Sequence, residues 1–145
     1  MNKSFHQIRV ECFMRLAGQE IPTQPIIPDK SIRLCRARLI YEEAMETILA
    51  LGFTVFGSPS DKCFVEIADP NLVGIVDGCC DLAVVTTGTL TACGVADEEV
   101  QEEVNQNNLN KFGLGSYLDS NSKWIKPPNH QPPKILQILI KQGLR

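Results

Sequence analysis

Two short stretches of this sequence carry acidic residues at spacings that could hold metal ions. Asp77 and Asp81 are the only charged side chains between Asn71 and Ala96. Their neighbours are apolar, small or hydroxylated, so the segment reads as a helix buried on most of its circumference. Residues four apart lie about 40° from each other around a helix and share a face. Two carboxylates brought together in a buried place repel, and each is costly to desolvate. No Lys or Arg in the segment offsets that cost; a divalent cation would. The second stretch, Glu42-Glu43-Ala44-Met45-Glu46, puts three carboxylates within about one helical turn. Taken alone it reads as a solvated acidic face. If the two helices pack antiparallel, five carboxylates converge. Mg2+ prefers such an all-oxygen shell, with Mn2+ as the alternative ion, and two or more such ions suit phosphate chemistry. A di-iron centre would need Glu-x-x-His, and the two histidines, His6 and His130, lie outside both acidic stretches.

The elements that must position these acids can be read from periodicity and breakers. A first helix is expected over residues 3–17, with Ile8, Phe13 and Leu16 inward and Gly18 ending it. Pro22, Pro25 and Pro28 make the following stretch an extended connector, and its Ile26 and Ile27 point to contact with the protein body. A second helix begins at residue 30 or 31 and runs to 51, apolar at Leu34, Ala37, Ile40, Ala44, Ile48 and Leu51. The runs FTVF (53–56) and CFVEI (63–67) flank the turn-forming GSPSDK and read as a small hairpin. Asp69 is the expected N-cap of a third helix, with Pro70 in its first position and Gly94 beyond its end. Asp97 is the expected cap of a fourth helix that carries Glu98 and Glu99 in its first turn and ends near residue 110. A proline-rich linker and one short amphipathic helix make up the tail. The fold class is therefore all-α: one domain over residues 1–145, a bundle of about four main helices with a small β-hairpin insertion.

Composition narrows the functional classes. The chain has 145 residues, 43% hydrophobic and 21% charged, the balance of an ordinary globular protein. A net charge of −3 gives no support for wrapping DNA or RNA. The N-terminus lacks the apolar core of a secretory signal. The apolar run Leu82 to Ala96 is short for a bilayer and carries four threonines. The expected location is cytoplasmic, without a membrane. The six cysteines contain no C-x-x-C and read as small buried hydrophobes with free thiols.

The order RLCRARLIYEEAMETI, a short hairpin, IVDGCCDLAVVTTGT and EEVQEEVNQNNLNKFG resembles the MazG-type all-α NTP pyrophosphohydrolases. The likeness is closest to their phosphoribosyl-ATP pyrophosphohydrolase-like branch and covers nearly the whole chain. That family carries E-E-x-x-E on one helix and E-x-x-D on the next. Glu42, Glu43 and Glu46 match the first motif and Asp81 the final Asp of the second. The position three before Asp81 is Gly78 rather than Glu; Asp77, one residue earlier, is the substitute on the same face, with a shorter reach. Asn108 and Lys111 fall on the family's N-x-x-K, which the resemblance places against the substrate phosphates. A lysine at a helix C-terminus also complements the helix dipole without any substrate. The resemblance further implies a homodimer or homotetramer. The apolar third helix independently points to burial against a second subunit.

Together these features read as Mg2+-dependent hydrolysis of a nucleoside triphosphate to the monophosphate and pyrophosphate. Glu43, Glu46, Asp77 and Asp81 are the expected metal ligands and Glu42 an extra ligand or the general base. Asn108 and Lys111 contact the substrate, Lys111 neutralising charge on the phosphates. Trp124 and Phe13 have rings that can stack on a base, but an isolated aromatic is more often core, and neither is assigned to the site. Two other readings stay open. One is a phosphoribosyl-ATP pyrophosphohydrolase of histidine synthesis; the other is a non-catalytic nucleotide-binding homologue, for which Gly78 is the best support.

Overall fold

The structure, a computed structural model, describes residues 2–58, 61–120 and 123–145. Helix α1 spans Phe5–Leu16 and is capped by Ser4, whose Oγ accepts from the Gln7 amide at 3.0 Å. Its buried face is Gln7, Val10 and Met14. The residues expected inward, Ile8, Phe13 and Leu16, are exposed. The helix is apolar on more than one side, and a polar residue decides which side turns in. The Gln7 carboxamide donates to Thr91 Oγ1 at 3.2 Å and to the Val95 carbonyl at 2.7 Å, and accepts from the Asp97 amide at 2.9 Å. Hydrophobic periodicity cannot see that anchor.

The connector after α1 is extended and lies against the body, through Ile21, Pro25 and Pro28 rather than through Ile26 and Ile27. The Ile26 amide donates to the Cys93 carbonyl at 2.9 Å. Gly94 permits this approach: with φ at 69°, a Cβ there would overlap the Gln24 carbonyl and meet Pro22 Cβ at 3.0 Å.

Helix α2, Lys30–Ala50, is capped by Asp29, whose Oδ1 accepts from the Ile32 amide at 2.9 Å and the Ser31 hydroxyl at 2.7 Å. Those bonds hold the Asp29 carboxyl below the usual range. Strands β1 (Phe53–Ser58) and β2 (Asp61–Glu66) form the expected antiparallel hairpin, with Phe53 opposite Glu66. Pro59 and Ser60 of the anticipated turn lie outside the described residues. Helix α3 spans Leu72–Ala92. Its cap is Asn71, not Asp69: Asn71 Oδ1 accepts from Val73 and Gly74, while the Asn71 amide is tied to the Ala50 carbonyl at 2.8 Å. That tie to the end of α2 fixes where α3 can start and leaves Asp69 and Pro70 in the turn.

Helices α2 and α3 run antiparallel. Along their shared seam Ala50 meets Gly74, Thr47 meets Gly78 and Arg36 meets Gly88. The inward face of α2 is therefore centred on Arg36 and Thr47, both buried, whereas Leu34 and Ala37, expected inward, are exposed. A small core of Val10, Met14 and Ala92, joined by Ile21 and Val84, packs α1 against α3.

Burial of α3 on most of its circumference is not what the single chain presents. Gly78, Val85, Gly88, Thr91 and Ala92 are buried, but Leu72, Val73, Val76, Cys79, Cys80 and Ala83 face outward. The helix starts slightly later than expected and ends where Gly94 was expected to stop it. At 21 residues and a mean hydropathy of 1.4 it has the length and composition of a membrane span. Asp77 and Asp81, with its seam against α2, mark it instead as a bundle helix. The cysteines are free as anticipated, yet five are exposed and Cys93 is partly covered.

Helix α4, Asp97–Leu109, follows α3 through a short corner and leads into a 3-10 turn at Asn110–Phe112. Asp97 does not cap its own helix, whose N-cap position is Ala96. Its carboxylate reaches across to α1 and accepts from the Ser4 amide at 2.7 Å and the Ser4 hydroxyl at 2.5 Å. The tail adds a small hairpin that the sequence did not announce, β3 (Tyr117–Leu118) with β4 (Trp124–Ile125). Helix α5, Ile135–Lys141, closes the chain, and Gln142 pairs with both backbone groups of Ala96 at 2.9 Å. The architecture is the expected all-α bundle with a small β insertion.

Candidate metal and phosphate site

The site begins at the closest approach of α2 and α3. A Cβ on Gly78 would overlap Thr47 Oγ1 and lie 3.1 Å from Thr47 Cα, so the α3 backbone packs directly against Thr47 here. The Thr47 hydroxyl in turn donates to the Glu43 carbonyl at 2.7 Å. Glu43, one turn before Thr47, is half-buried at the edge of this seam.

The Glu43 carboxyl is raised above the usual glutamate range. Partial burial is the largest cause, followed by the charges of Asp81, Glu46, Glu42 and Asp77. The two helices thus bring the other four acidic candidates within electrostatic reach of the Glu43 carboxyl. Asp81 acts on it more strongly than Asp77.

Glu42, Glu46, Asp77 and Asp81 are exposed, so the aspartates do not have the buried setting that the sequence implied. Among the described residues no three acidic, His or Cys side chains stand close enough around one point to hold an ion as they are. Like charges repel, and exposed Asp and Glu side chains are free to rotate apart or together. The donor set is nevertheless one that hard cations take: carboxylate oxygens from two facing helices.

Asn108 and Lys111 form a separate group. Lys111 Nζ donates to Asn108 Oδ1 at 2.6 Å, at the junction of α4 and the 3-10 turn. Among the described residues no ion pair joins Lys111 to any of the five acids. Asn105 accepts from Gln101 at 3.3 Å, and Asn107 donates to the Gln131 carbonyl at 2.8 Å. Trp124, unassigned on sequence grounds as an isolated aromatic, is a neighbour of Lys111. Trp124 Nε1 donates to the Lys111 carbonyl at 3.0 Å, and the Trp124 and Phe112 rings lie 5.0 Å apart. The aromatic composition of the tail was visible, but its folding back onto Lys111 depends on the β3–β4 hairpin.

Fold and site define a helical bundle in which two antiparallel helices present carboxylates across one seam. Residues 10–108 match the family described as phosphoribosyl-ATP pyrophosphohydrolase, and the chain belongs to that family, within the MazG-like superfamily. The match runs from α1 to the last turn of α4 and includes both acidic stretches, while Lys111 and the tail fall beyond it. No curated protein matches the chain. The family's description names a pyrophosphohydrolase acting on phosphoribosyl-ATP.

Proposed function

We propose that the protein is a magnesium-dependent pyrophosphohydrolase of nucleoside triphosphates, converting (d)NTP and water to (d)NMP and pyrophosphate. The observation that carries this reading is the Glu43 carboxyl at the α2–α3 seam, raised first by partial burial and then by the charges of Asp81, Glu46, Glu42 and Asp77 on two helices. Such a cluster suits a divalent cation, and Glu43, Glu46, Asp77 and Asp81 are its ligands in this reading, with Mn2+ able to replace Mg2+. A bound ion supplies Lewis-acid stabilisation of the phosphate oxygens and lowers the pKa of a water.

The remaining work falls to the chain. Water attacks a phosphorus of the α–β anhydride, one P–O bond forms, and the bridging P–O bond breaks to free pyrophosphate. Glu42, exposed beside the cluster, takes the proton of that water. Lys111 and the Asn108 carboxamide meet the phosphates and offset their charge. No nucleophilic side chain is required.

Phosphoribosyl-ATP is the second substrate reading, favoured by the family that the chain matches. A non-catalytic nucleotide-binding role is the third reading; the packing of Gly78 against Thr47 offers a reason for the glycine other than loss of catalysis. A homodimer or homotetramer is supported by the outward apolar face of α3, where Leu72, Val73 and Val76 are 74%, 79% and 56% exposed. In this reading the enzyme works in the cytoplasm on small nucleotides rather than on nucleic acid or membranes.

The test is product analysis with Mg2+ on a panel of NTPs, dNTPs and phosphoribosyl-ATP. Monophosphate and pyrophosphate in equal amounts from the triphosphates support the proposal. Turnover of phosphoribosyl-ATP alone would move the assignment to the second reading. Release of orthophosphate with a diphosphate product would contradict both.

A further inference from the structure

The tail carries an aromatic surface attached to one of the candidate phosphate contacts. Trp124 and Phe112 lie 5.0 Å apart and inclined at 41°, so each covers part of the other without closing off the pair. They remain 41% and 63% exposed. The indole is fixed by its bond to the Lys111 carbonyl, and the same lysine's ammonium reaches Asn108 Oδ1. A positive charge, a carboxamide and a fixed indole are therefore joined through one residue. An exposed Trp would be a liability if it only filled space, since its ring gains nothing from water. A ligand with a phosphate chain at one end and a flat heteroaromatic ring at the other matches this arrangement.

We infer that Trp124, backed by Phe112, is the stacking platform for the nucleobase of the substrate whose phosphates Lys111 and Asn108 contact. The inference rests on the proposed nucleotide reading and goes beyond it, because it gives the tail outside the family match a role in recognition. Stacking uses the π-face that every base has, so it orients the ring without selecting one base by hydrogen bonds. The anchor through Nε1 holds the indole plane in place before the ligand arrives and lowers the entropy lost on binding.

Trp124 is the only tryptophan in the chain, so its fluorescence reports on this position alone. The probes are a nucleoside triphosphate with a methylene group bridging its α- and β-phosphates, which resists hydrolysis there, and inorganic tripolyphosphate, which has no base. Both are titrated with Mg2+, by fluorescence and by calorimetry. The expected result is saturable quenching by the methylene nucleotide and none by tripolyphosphate. Trp124→Leu weakens the nucleotide about tenfold and leaves tripolyphosphate binding unchanged, while Trp124→Phe keeps most of the nucleotide affinity. Calorimetric binding of the nucleotide with an unchanged emission spectrum overturns the inference, even though the nucleotide reading would stand. So does an equal loss of both ligands in Trp124→Leu, or emission that follows protein concentration instead of nucleotide. If folded protein binds neither probe, the nucleotide reading fails and the platform falls with it.

Discussion

Gly78 on α3 lies directly against Thr47 on α2, where a Cβ would stand 3.1 Å from the Thr47 Cα and collide with its hydroxyl oxygen. This contact accounts for the departure from E-x-x-D. A glutamate at this position would point into the closest approach of the two helices. The close seam is also what lets Asp81 and Glu43 act on each other from opposite elements.

Restoring the family residue should therefore harm the protein. Gly78→Ala is expected to cost about 1–3 kcal/mol through overpacking, partly offset by the ~1 kcal/mol helix preference of Ala over Gly. Gly78→Glu should cost more and lower activity with it. Thermal melts check both, and Thr47→Ala combined with Gly78→Ala should recover part of the loss. A Gly78→Glu protein that melts at the wild-type temperature would show that the seam is looser than described.

The raised Glu43 carboxyl makes a signed prediction for pH. A carboxyl protonated more readily in the folded state weakens folding when it ionises. The penalty is absent below the ordinary glutamate range and complete once the pH has risen through the raised value. In metal-free protein Glu43→Gln should thus raise the melting temperature at neutral pH and change it little in acid. Mg2+ should stabilise wild type, by about 2.7 kcal/mol at a hundredfold excess over its Kd, and stabilise Glu43→Gln much less. Melting curves with Mg2+ and with chelator, at neutral and acid pH, measure all of this.

Gln7 is wholly buried and its carboxamide serves Thr91, Val95 and Asp97 at the corner between α3 and α4. Gln7→Leu keeps the volume and strands those groups. The expected loss is about 2–4 kcal/mol, seen as a melting temperature lowered by roughly 5–15 °C. A neutral substitution would mean that the corner is held by Gln142 and Ser4 alone.

The outward face of α3 predicts self-association. Val76→Asp places a charge in that face without touching the α2 seam. Light scattering should find a smaller assembly than in wild type, with helicity retained in far-UV circular dichroism. An unchanged mass would remove this face from the subunit interface.

The bundle was legible because its breakers are strong: Gly18, Gly52 and Gly94 end helices where expected, and all three take positive φ. The inward faces were less so. In α1 a buried glutamine outranks Ile8 and Leu16, and in α2 Arg36 and Thr47 hold the face that Leu34 seemed to claim. Apolar periodicity ranks side chains by hydrophobicity, whereas these faces carry buried polar groups that find partners. Gln7 bonds Thr91, Val95 and Asp97, Arg36 bonds Gln19 of the connector, and Thr47 bonds the Glu43 carbonyl of its own helix. The five acids could be found from spacing alone, because both stretches lie on helices and their offsets survive folding. Trp124 could not be placed, since its approach to Lys111 depends on a hairpin of two-residue strands with no distinctive sequence pattern.

The most direct test of the central claim is pyrophosphate release from nucleoside triphosphates with Mg2+, for wild type, Glu46→Ala and Asp81→Asn, each shown to be folded. The account predicts turnover by wild type that is abolished by chelator and reduced at least a hundredfold in both variants, in line with the loss of a metal ligand. Full activity in Asp81→Asn, or turnover that persists in chelator, would contradict the assignment of the α2–α3 acids as the metal site.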